Sequence, residues 1–295
     1  MSWRATVPCS RAQGETIAHA EDLFPVSEYP PVLVVDEPDP SSPNSWLIHA
    51  YFDERPTSVE IATLTSLGNG PPQIEQLGEE DWVRMSQSGL QPIRAGRFFV
   101  HTPTSPPDPA KISFEIDAGL AFGTGQHATT AGCLEVLDKL ERQGANFTTI
   151  ADVGTGTGLL AFASLALWPG AKCIASDIDP IAIDVARENA AINGVKQGHG
   201  RGELLLAQAD GMSSALLSAR APFDLIIANI LAAPLIDLAG DFAKALSPGG
   251  MVVLAGLLDT QATKVRTVYE NHGLELADET DGEWPVLVLR APRSR

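Results

Sequence analysis

Three glycines at alternate positions, Gly154, Gly156 and Gly158, close the segment Ile150 to Gly158 (IADVGTGTG) behind a short apolar run. Glycine permits a tight turn and lets backbone come close to a ligand, so a strand feeding such a turn and then a helix, here beginning near Leu159, can hold a nucleoside. The dinucleotide spacing GxGxxG is not met, because Leu159 follows Gly158, and a glycine turn by itself also serves as simple punctuation. Asp177 follows near the ~20-residue offset at which a carboxylate at the next strand's end accepts from both ribose hydroxyls. Asp179 and Pro180 read as N-cap and first residue of a helix from Pro180 to Ile192 that stops at Asn193 and Gly194. Asp210, in Gln208 to Gly211 (QADG), is either an acceptor for an adenine amino group or a turn residue. Asn229 ends a further strand and points a polar side chain at the same rim, although asparagine also ends strands because it tolerates turn geometry. Asp152, inside the run leading to the glycines, joins the candidate cofactor-binding residues.

These residues need a scaffold that brings strand ends together. From Thr149 onward the pattern is strand, turn, helix, repeated, with strand-like runs at Ile150 to Val153, Cys173 to Ser176, Leu204 to Ala207, Leu225 to Ala228 and Met251 to Leu254. That alternation predicts a doubly wound α/β sheet, mostly parallel and covered on both faces, with ligands at the carboxyl ends of the strands. Leu274 to Asp278 and Val286 to Leu289, joined by a turn at Asp281 and Gly282, predict two closing strands without a helix between them. The first 78 residues instead read as βαββαβ: Trp3 to Val7, a helix near Arg11 to Leu23, Val32 to Val35, Trp46 to Phe52, a helix near Thr57 to Leu67, and Gln73 to Leu77. This predicts a small ferredoxin-like α+β domain over 1–78, a linker helix within 79–91 and a catalytic domain over 92–295. The start of the latter carries a proline-rich loop, His101 to Pro109 (HTPTSPPDP), which is neither helix nor central strand.

Composition narrows the function. The 295 residues hold 20 Lys and Arg against 37 Asp and Glu, a formal charge of −17, which opposes nonspecific nucleic-acid binding and either favours a basic partner or simply keeps the protein soluble. No apolar run approaches the ~20 residues needed to span a bilayer, and no leader pattern opens the chain, so a cytoplasmic protein is expected, without membrane association. Cys9, Cys133 and Cys173 are scattered without Cys/His spacing, which signals neither a disulfide framework nor a metal site.

With these residues in place, the sequence resembles the class I methyltransferases, and among them the ribosomal protein L-eleven methyltransferase family, often called PrmA. The resemblance covers nearly the whole chain and rests on Ala121 to Thr130 (AFGTGQHATT), VGTGTG, Ser176 to Pro180 (SDIDP), Ala228 to Leu231 (ANIL), Ser247 to Gly250 (SPGG) and Gly282 to Trp284 (GEW). It implies an S-adenosyl-L-methionine pocket in which Thr124 and the adjacent backbone at Gly125 hold the methionine part, Gly154 and Gly156 line the nucleoside, and Asp177 binds ribose. Asn229 would then sit beside the reacting amine, and the N-terminal domain would recognise the substrate, ribosomal protein L-eleven, free or in the large subunit. The implied activity is methylation of lysine side chains and the N-terminal α-amine.

Methyl transfer to nitrogen is an in-line displacement that needs a neutral amine, so proximity and orientation in a dry pocket are the protein's main contribution. A lysine amine, with a reference pKa of about 10.4, must first lose a proton; burial helps, whereas a nearby carboxylate would oppose it. The uncharged carboxamide of Asn229 is therefore the better catalytic orienting group. His127 reads as a helix cap more readily than as a proton acceptor, since the proton can leave to water. Phe122 and Trp284 either flank the cationic sulfur and the substrate side chain or pack in the core. A nucleic-acid methyltransferase would want a basic stripe and a base-stacking aromatic after Asn229, where Ile230 and Leu231 stand. The remaining alternatives are a methyltransferase of the same fold acting on another basic protein or a small-molecule amine, a noncatalytic nucleoside-binding module, and a nicotinamide-dependent oxidoreductase. The last is opposed by the glycine spacing.

Overall fold

The computed structural model describes residues 2–18, 23–24, 30–36, 46–52, 54–77, 92–116 and 126–293, and the chain divides into two compact units, Met1–Ser86 and Gln87–Arg295.

In the first unit, β1 (Ser2–Cys9), α1 (Arg11–Ala18), β2 (Val32–Asp36), β3 (Trp46–Phe52), α2 (Ser58–Leu67) and β4 (Gln73–Leu77) follow the expected βαββαβ order. The strands pair antiparallel in the order β2-β3-β1-β4, which is the ferredoxin-like arrangement. Period-two patterning makes this sheet one-sided: Ala5, Val7 and Cys9 of β1 and Ile48, Ala50 and Phe52 of β3 are buried, while alternate residues are more exposed. Helix α2 starts in a capping box, where the Thr57 side chain accepts from the Glu60 N–H and the Glu60 carboxylate accepts from the Thr57 N–H. Such a cap contributes about 1 kcal/mol over alanine. The described part of α1 ends at Ala18, and the connecting helix expected over 79–89 lies outside the described residues.

The second unit opens with a small sheet that the sequence reading missed. The chain here forms β5 (Ile93–Ala95), β6 (Phe98–His101) and β7 (Ile112–Glu115), with β5 antiparallel and β7 parallel to β6. All four residues of β6 are buried, and the proline-rich segment is the crossover between β6 and β7. At the β5–β6 turn, Arg97 pairs with Asp138 and Glu141 of α3 (Gln126–Arg142), fixing that helix against the hairpin. Helix α3 begins three residues before the expected start near Thr129.

Beyond α3 come β8 (Thr149–Val153), α4 (Leu159–Leu167), β9 (Lys172–Asp177), α5 (Pro180–Ile192), β10 (Glu203–Gln208), α6 (Ala215–Arg220), β11 (Phe223–Asn229), α7 (Ala232–Ala245), β12 (Leu246–Ala255), α8 (Asp259–Asn271), β13 (Glu275–Glu279) and β14 (Leu287–Arg290). The seven strands lie in the order β10-β9-β8-β11-β12-β14-β13, with β8 to β12 mutually parallel and β14 antiparallel to both neighbours. Alternate residues along each strand feed two cores. Ile150, Cys173, Leu225, Ile227 and Val253 pack with Leu134, Leu137 and Phe162 of α3 and α4. Ala151, Ile174, Ile226, Val252 and Leu254 pack on the other face with Leu235, Phe242, Val265 and Tyr269 of α7 and α8. Burial on both faces explains why these strands read as continuous apolar runs. The order reverses between β8 and β11, so their carboxyl ends diverge at a switch point and open a crevice.

Candidate active site

At that crevice lies a cavity of about 400 Å³, bordered by the loop after β8 (Gly154 to Thr157), Asn229 to Leu231 after β11, Gly256 after β12, Thr129 and Thr130 of α3, and Trp284. Among its described lining residues there is no acidic or basic side chain. The structure thus brings Gly154, Gly156, Asn229 and Trp284 together. Phe122, Thr124 and Gly125 lie outside the described residues, as does the side chain of His127.

The glycine loop is held from two sides. The Gly154 and Thr155 amides both donate to the Ser176 carbonyl of β9, at 2.8 and 2.9 Å. Gly154 has φ +74°, and a Cβ there would overlap the Ile230 Cγ2 methyl. Gly256, at φ +86°, leaves no room for a Cβ against the backbone carbon and nitrogen of Ile230, which would be 2.8 and 2.9 Å away. Ile230 is therefore gripped between the loops after β8 and β12, and that grip sets the position of the preceding Asn229. Gly156, by contrast, would point a Cβ into open space, leaving room for a ligand beside the turn.

Behind the loop sits Asp152, 1% exposed. Its Oδ2 accepts from the Thr155 hydroxyl and the Ala161 amide, and so joins the glycine turn to the first turn of α4. Its Oδ1 has no partner among the described residues. Burial, reinforced by the charge of Asp177, pushes the Asp152 carboxyl up to about 7 against the pull of those two hydrogen bonds. Asp152 does not line the cavity; what it contacts is the loop that does.

Asp177 stands at the end of β9, half-buried, with Oδ2 accepting from the Gly156 amide at 2.9 Å and Oδ1 from the Asp179 amide at 3.1 Å. Each oxygen keeps further acceptor capacity. Asp179 caps α5, accepting from the Ile181 amide at 2.9 Å, with Pro180 in the first turn. Asp210 is exposed two residues past β10; its carbonyl accepts from the Ser213 amide in a turn, and it does not border the cavity. It lies next to Asp177 all the same, because Gln208 pairs with Asp177 and the Ala209 amide donates to the Asp177 carbonyl.

Asn229, the last residue of β11, donates from Nδ2 to the Thr130 hydroxyl at 3.3 Å. Thr129, Thr130, Ile230, Leu231 and Gly256 are among the lining residues that were not expected at the site, together with Thr155, Thr157, Leu159 and Leu160. The signal for Thr129 and Thr130 was present in the AFGTGQHATT stretch, where the helix start was placed three residues late.

The chain matches the model of the PrmA family, described as ribosomal protein L11 methyltransferase, over residues 14–292. It is 40% identical over 259 residues to the ribosomal protein L11 methyltransferase of Brucella suis, covering 87% of this chain and 86% of that one. With the protein of the same name from a Caulobacter species it shares 38% identity over 296 residues, 96% of each chain. A crystal structure of ribosomal protein L11 methylase from Lactobacillus delbrueckii subsp. bulgaricus superposes with a TM-score of 0.59 at 27% identity, covering 69% of this chain and all of the other. The glycine turn, the closing antiparallel strand and the cavity at the switch point thus have a common explanation, and the chain belongs to the ribosomal protein L11 methyltransferase family.

Proposed function

We propose that this chain methylates amino groups of ribosomal protein L11, lysine side chains and the N-terminal α-amine, with S-adenosylmethionine as the methyl donor. The observation that carries the reading is the cavity itself, where an open glycine turn on one side faces a strand-end carboxamide on the other and, among the described residues, no charged side chain lines the space. The residues fit the cofactor: Gly154 and Gly156 offer backbone against which a nucleoside can lie, Asp177 has acceptor capacity for ribose hydroxyls, and Asp210 on the neighbouring strand end is an acceptor for the adenine amino group. Thr124 and Gly125 complete the set as the methionine-holding segment. Asp152 contributes as a cofactor-site residue through the loop it supports. When bound, S-adenosylmethionine supplies a methyl group activated on a sulfonium.

The chain's own task is then to deliver a neutral amine in line. The described lining, which carries no charge, favours the deprotonated amine by offering the ammonium form no counter-ion. Asn229 Oδ1 accepts one amine N–H and aims the lone pair, while Trp284 offers an aromatic face to the cationic centre or to the methylene stem of a lysine, and Phe122 is the second aromatic assigned to the substrate. Orientation of this kind is worth up to ~7–11 kcal/mol in a pre-arranged site. The ferredoxin-like unit recognises the substrate protein, and the strongly acidic chain, at −17, suits a basic ribosomal protein. No helix among the described residues is long and apolar enough to cross a membrane, in keeping with action in the cytoplasm where ribosomes are assembled.

The test is transfer of labelled methyl groups from S-adenosylmethionine to purified L11, with the modified amines mapped by mass spectrometry. Label on L11 amines is expected. Label confined to another protein of a large-subunit mixture, or to RNA, would replace L11 as the substrate.

A further inference from the structure

We infer that Thr130 is a positioning residue that fixes which end of the Asn229 carboxamide meets the acceptor amine. The inference rests on the reading of Asn229 given above and adds a residue that acts through it. A carboxamide is two-ended, with Oδ1 accepting and Nδ2 donating. A nucleophilic amine must keep its lone pair for the methyl group, so it has only N–H donors to offer the protein. Oδ1 facing the amine is therefore productive, whereas Nδ2 facing it would donate into the lone pair and block attack.

Thr130 and the incoming amine together select the end, because Thr130 takes up the one that the amine does not use. Its hydroxyl accepts from Asn229 Nδ2 at 3.3 Å, and both residues border the cavity. A hydroxyl can serve either end of an amide. Once an amine N–H needs Oδ1, however, only the Nδ2-to-Thr130 arrangement satisfies every partner. Both members are also held on rigid supports. Thr130 is buried at the start of the second turn of α3, which Arg97 ties down through Asp138 and Glu141. Asn229 is paired to Ala255 in the sheet and is followed by the gripped Ile230. Without the hydroxyl the carboxamide is free to rotate about its side-chain bonds, and the productive orientation is diluted.

The experiment is a double-mutant cycle on the full chain with L11 and S-adenosylmethionine, measuring kcat, KM for L11 and cofactor Kd for Thr130→Val, Thr130→Ser, Asn229→Ala and Thr130→Val/Asn229→Ala. Thr130→Val should lower kcat about five- to tenfold with cofactor Kd and KM within about twofold, and Thr130→Ser should restore most of the rate. In the Asn229→Ala background, Thr130→Val should cost nothing further. Should the valine variant fold poorly, Thr130→Ala replaces it in the same cycle. A tenfold loss of cofactor affinity in Thr130→Val, or kcat losses that simply multiply in the double variant, would overturn the positioning role while leaving Asn229 in place. An Asn229→Ala protein with unchanged kcat would remove the reading of Asn229 and this inference with it.

Discussion

The two rims of the parallel sheet carry cavities of nearly equal volume, about 400 Å³ at the carboxyl ends of the strands and about 410 Å³ at their amino ends, and they differ in everything except size. At the amino rim the walls are the turns entering β8 and β9, with Phe147 and Trp168 edge to face at a centroid distance of 4.8 Å. Hydrogen bonds knit its turns together: Trp168 Nε1 donates to the Ala145 carbonyl, and half-buried Asp224 accepts from the Thr148 amide and hydroxyl, the Thr149 amide and the Ser247 hydroxyl, while Arg290 Nε, level with Leu225 across β12, has no partner among the described residues. At the carboxyl rim the loops are crowded against Ile230, Asp152 keeps one oxygen unpartnered, and the cavity side of Gly156 is open. One rim closes the fold. The other leaves open space beside a glycine turn, which is what a binding site needs.

The two carboxylates show the same contrast. Burial alone would raise Asp224, but its four hydrogen bonds hold it below the usual carboxylate range. Asp152, with two donors and deeper burial, rises to about 7. Depth of burial against the number of donors decides the sign.

The largest expected break in this comparison comes from backbone. Gly256→Ala should destabilise the protein by roughly 3–5 kcal/mol, since positive φ and overlap with Ile230 add, whereas Gly170→Ala at the amino rim, where a Cβ meets nothing within 4 Å, should stay within about 0.5 kcal/mol. Urea unfolding of both variants checks this, and equal losses would remove the distinction between the rims. Next, Asp224→Ala should cost about 2–3 kcal/mol near neutral pH by leaving the Thr148 and Thr149 amides unpaired. Because the folded pKa of Asp224 is depressed, its contribution is present above the unfolded value and fades as pH falls through the folded one, so the penalty should shrink in acid.

Smaller in energy is the effect of Asn229→Ala, expected to reduce kcat at least tenfold, or about 1.4 kcal/mol, with cofactor Kd within about threefold. Equal losses in both would make Asn229 a binding residue only. Smallest is Asp152→Asn. A raised folded pKa means that the carboxyl favours the native state when protonated and loses that advantage as pH climbs from about 4 toward 7. The asparagine variant should therefore gain Tm relative to the parent between pH 5 and pH 8. A Tm difference that is flat or falls over that interval would contradict the assigned sign.

Much of this was legible beforehand because burial on both faces writes parallel strands as apolar runs, and each such run ends where a ligand can sit. That rule points to Gly154, Gly156 and Asn229, which border the cavity, and to Asp177, which does not border it but accepts from the Gly156 amide. The β5–β7 sheet was not legible, since strands of three or four residues show no period and the eight prolines and polar residues of the 102–110 segment mask the pairing of β6 with β7. Asp152 was readable as a residue of the motif but not as the support behind it, because only the packing of the Ala161 amide reveals which way the carboxylate turns. Thr130 needed the start of α3, and a three-residue error there hides the contact across 99 residues of sequence that brings it to Asn229.

The most direct test of the account is a crystal structure of the full chain with S-adenosylhomocysteine. Density for the ligand is expected at the carboxyl rim, with its nucleoside along Gly154 and Gly156, ribose hydroxyls on Asp177 and sulfur directed toward Asn229. Density among Phe147, Trp168 and Arg201 at the opposite rim, or a carboxyl-rim cavity left without ligand at saturating concentration, would contradict it.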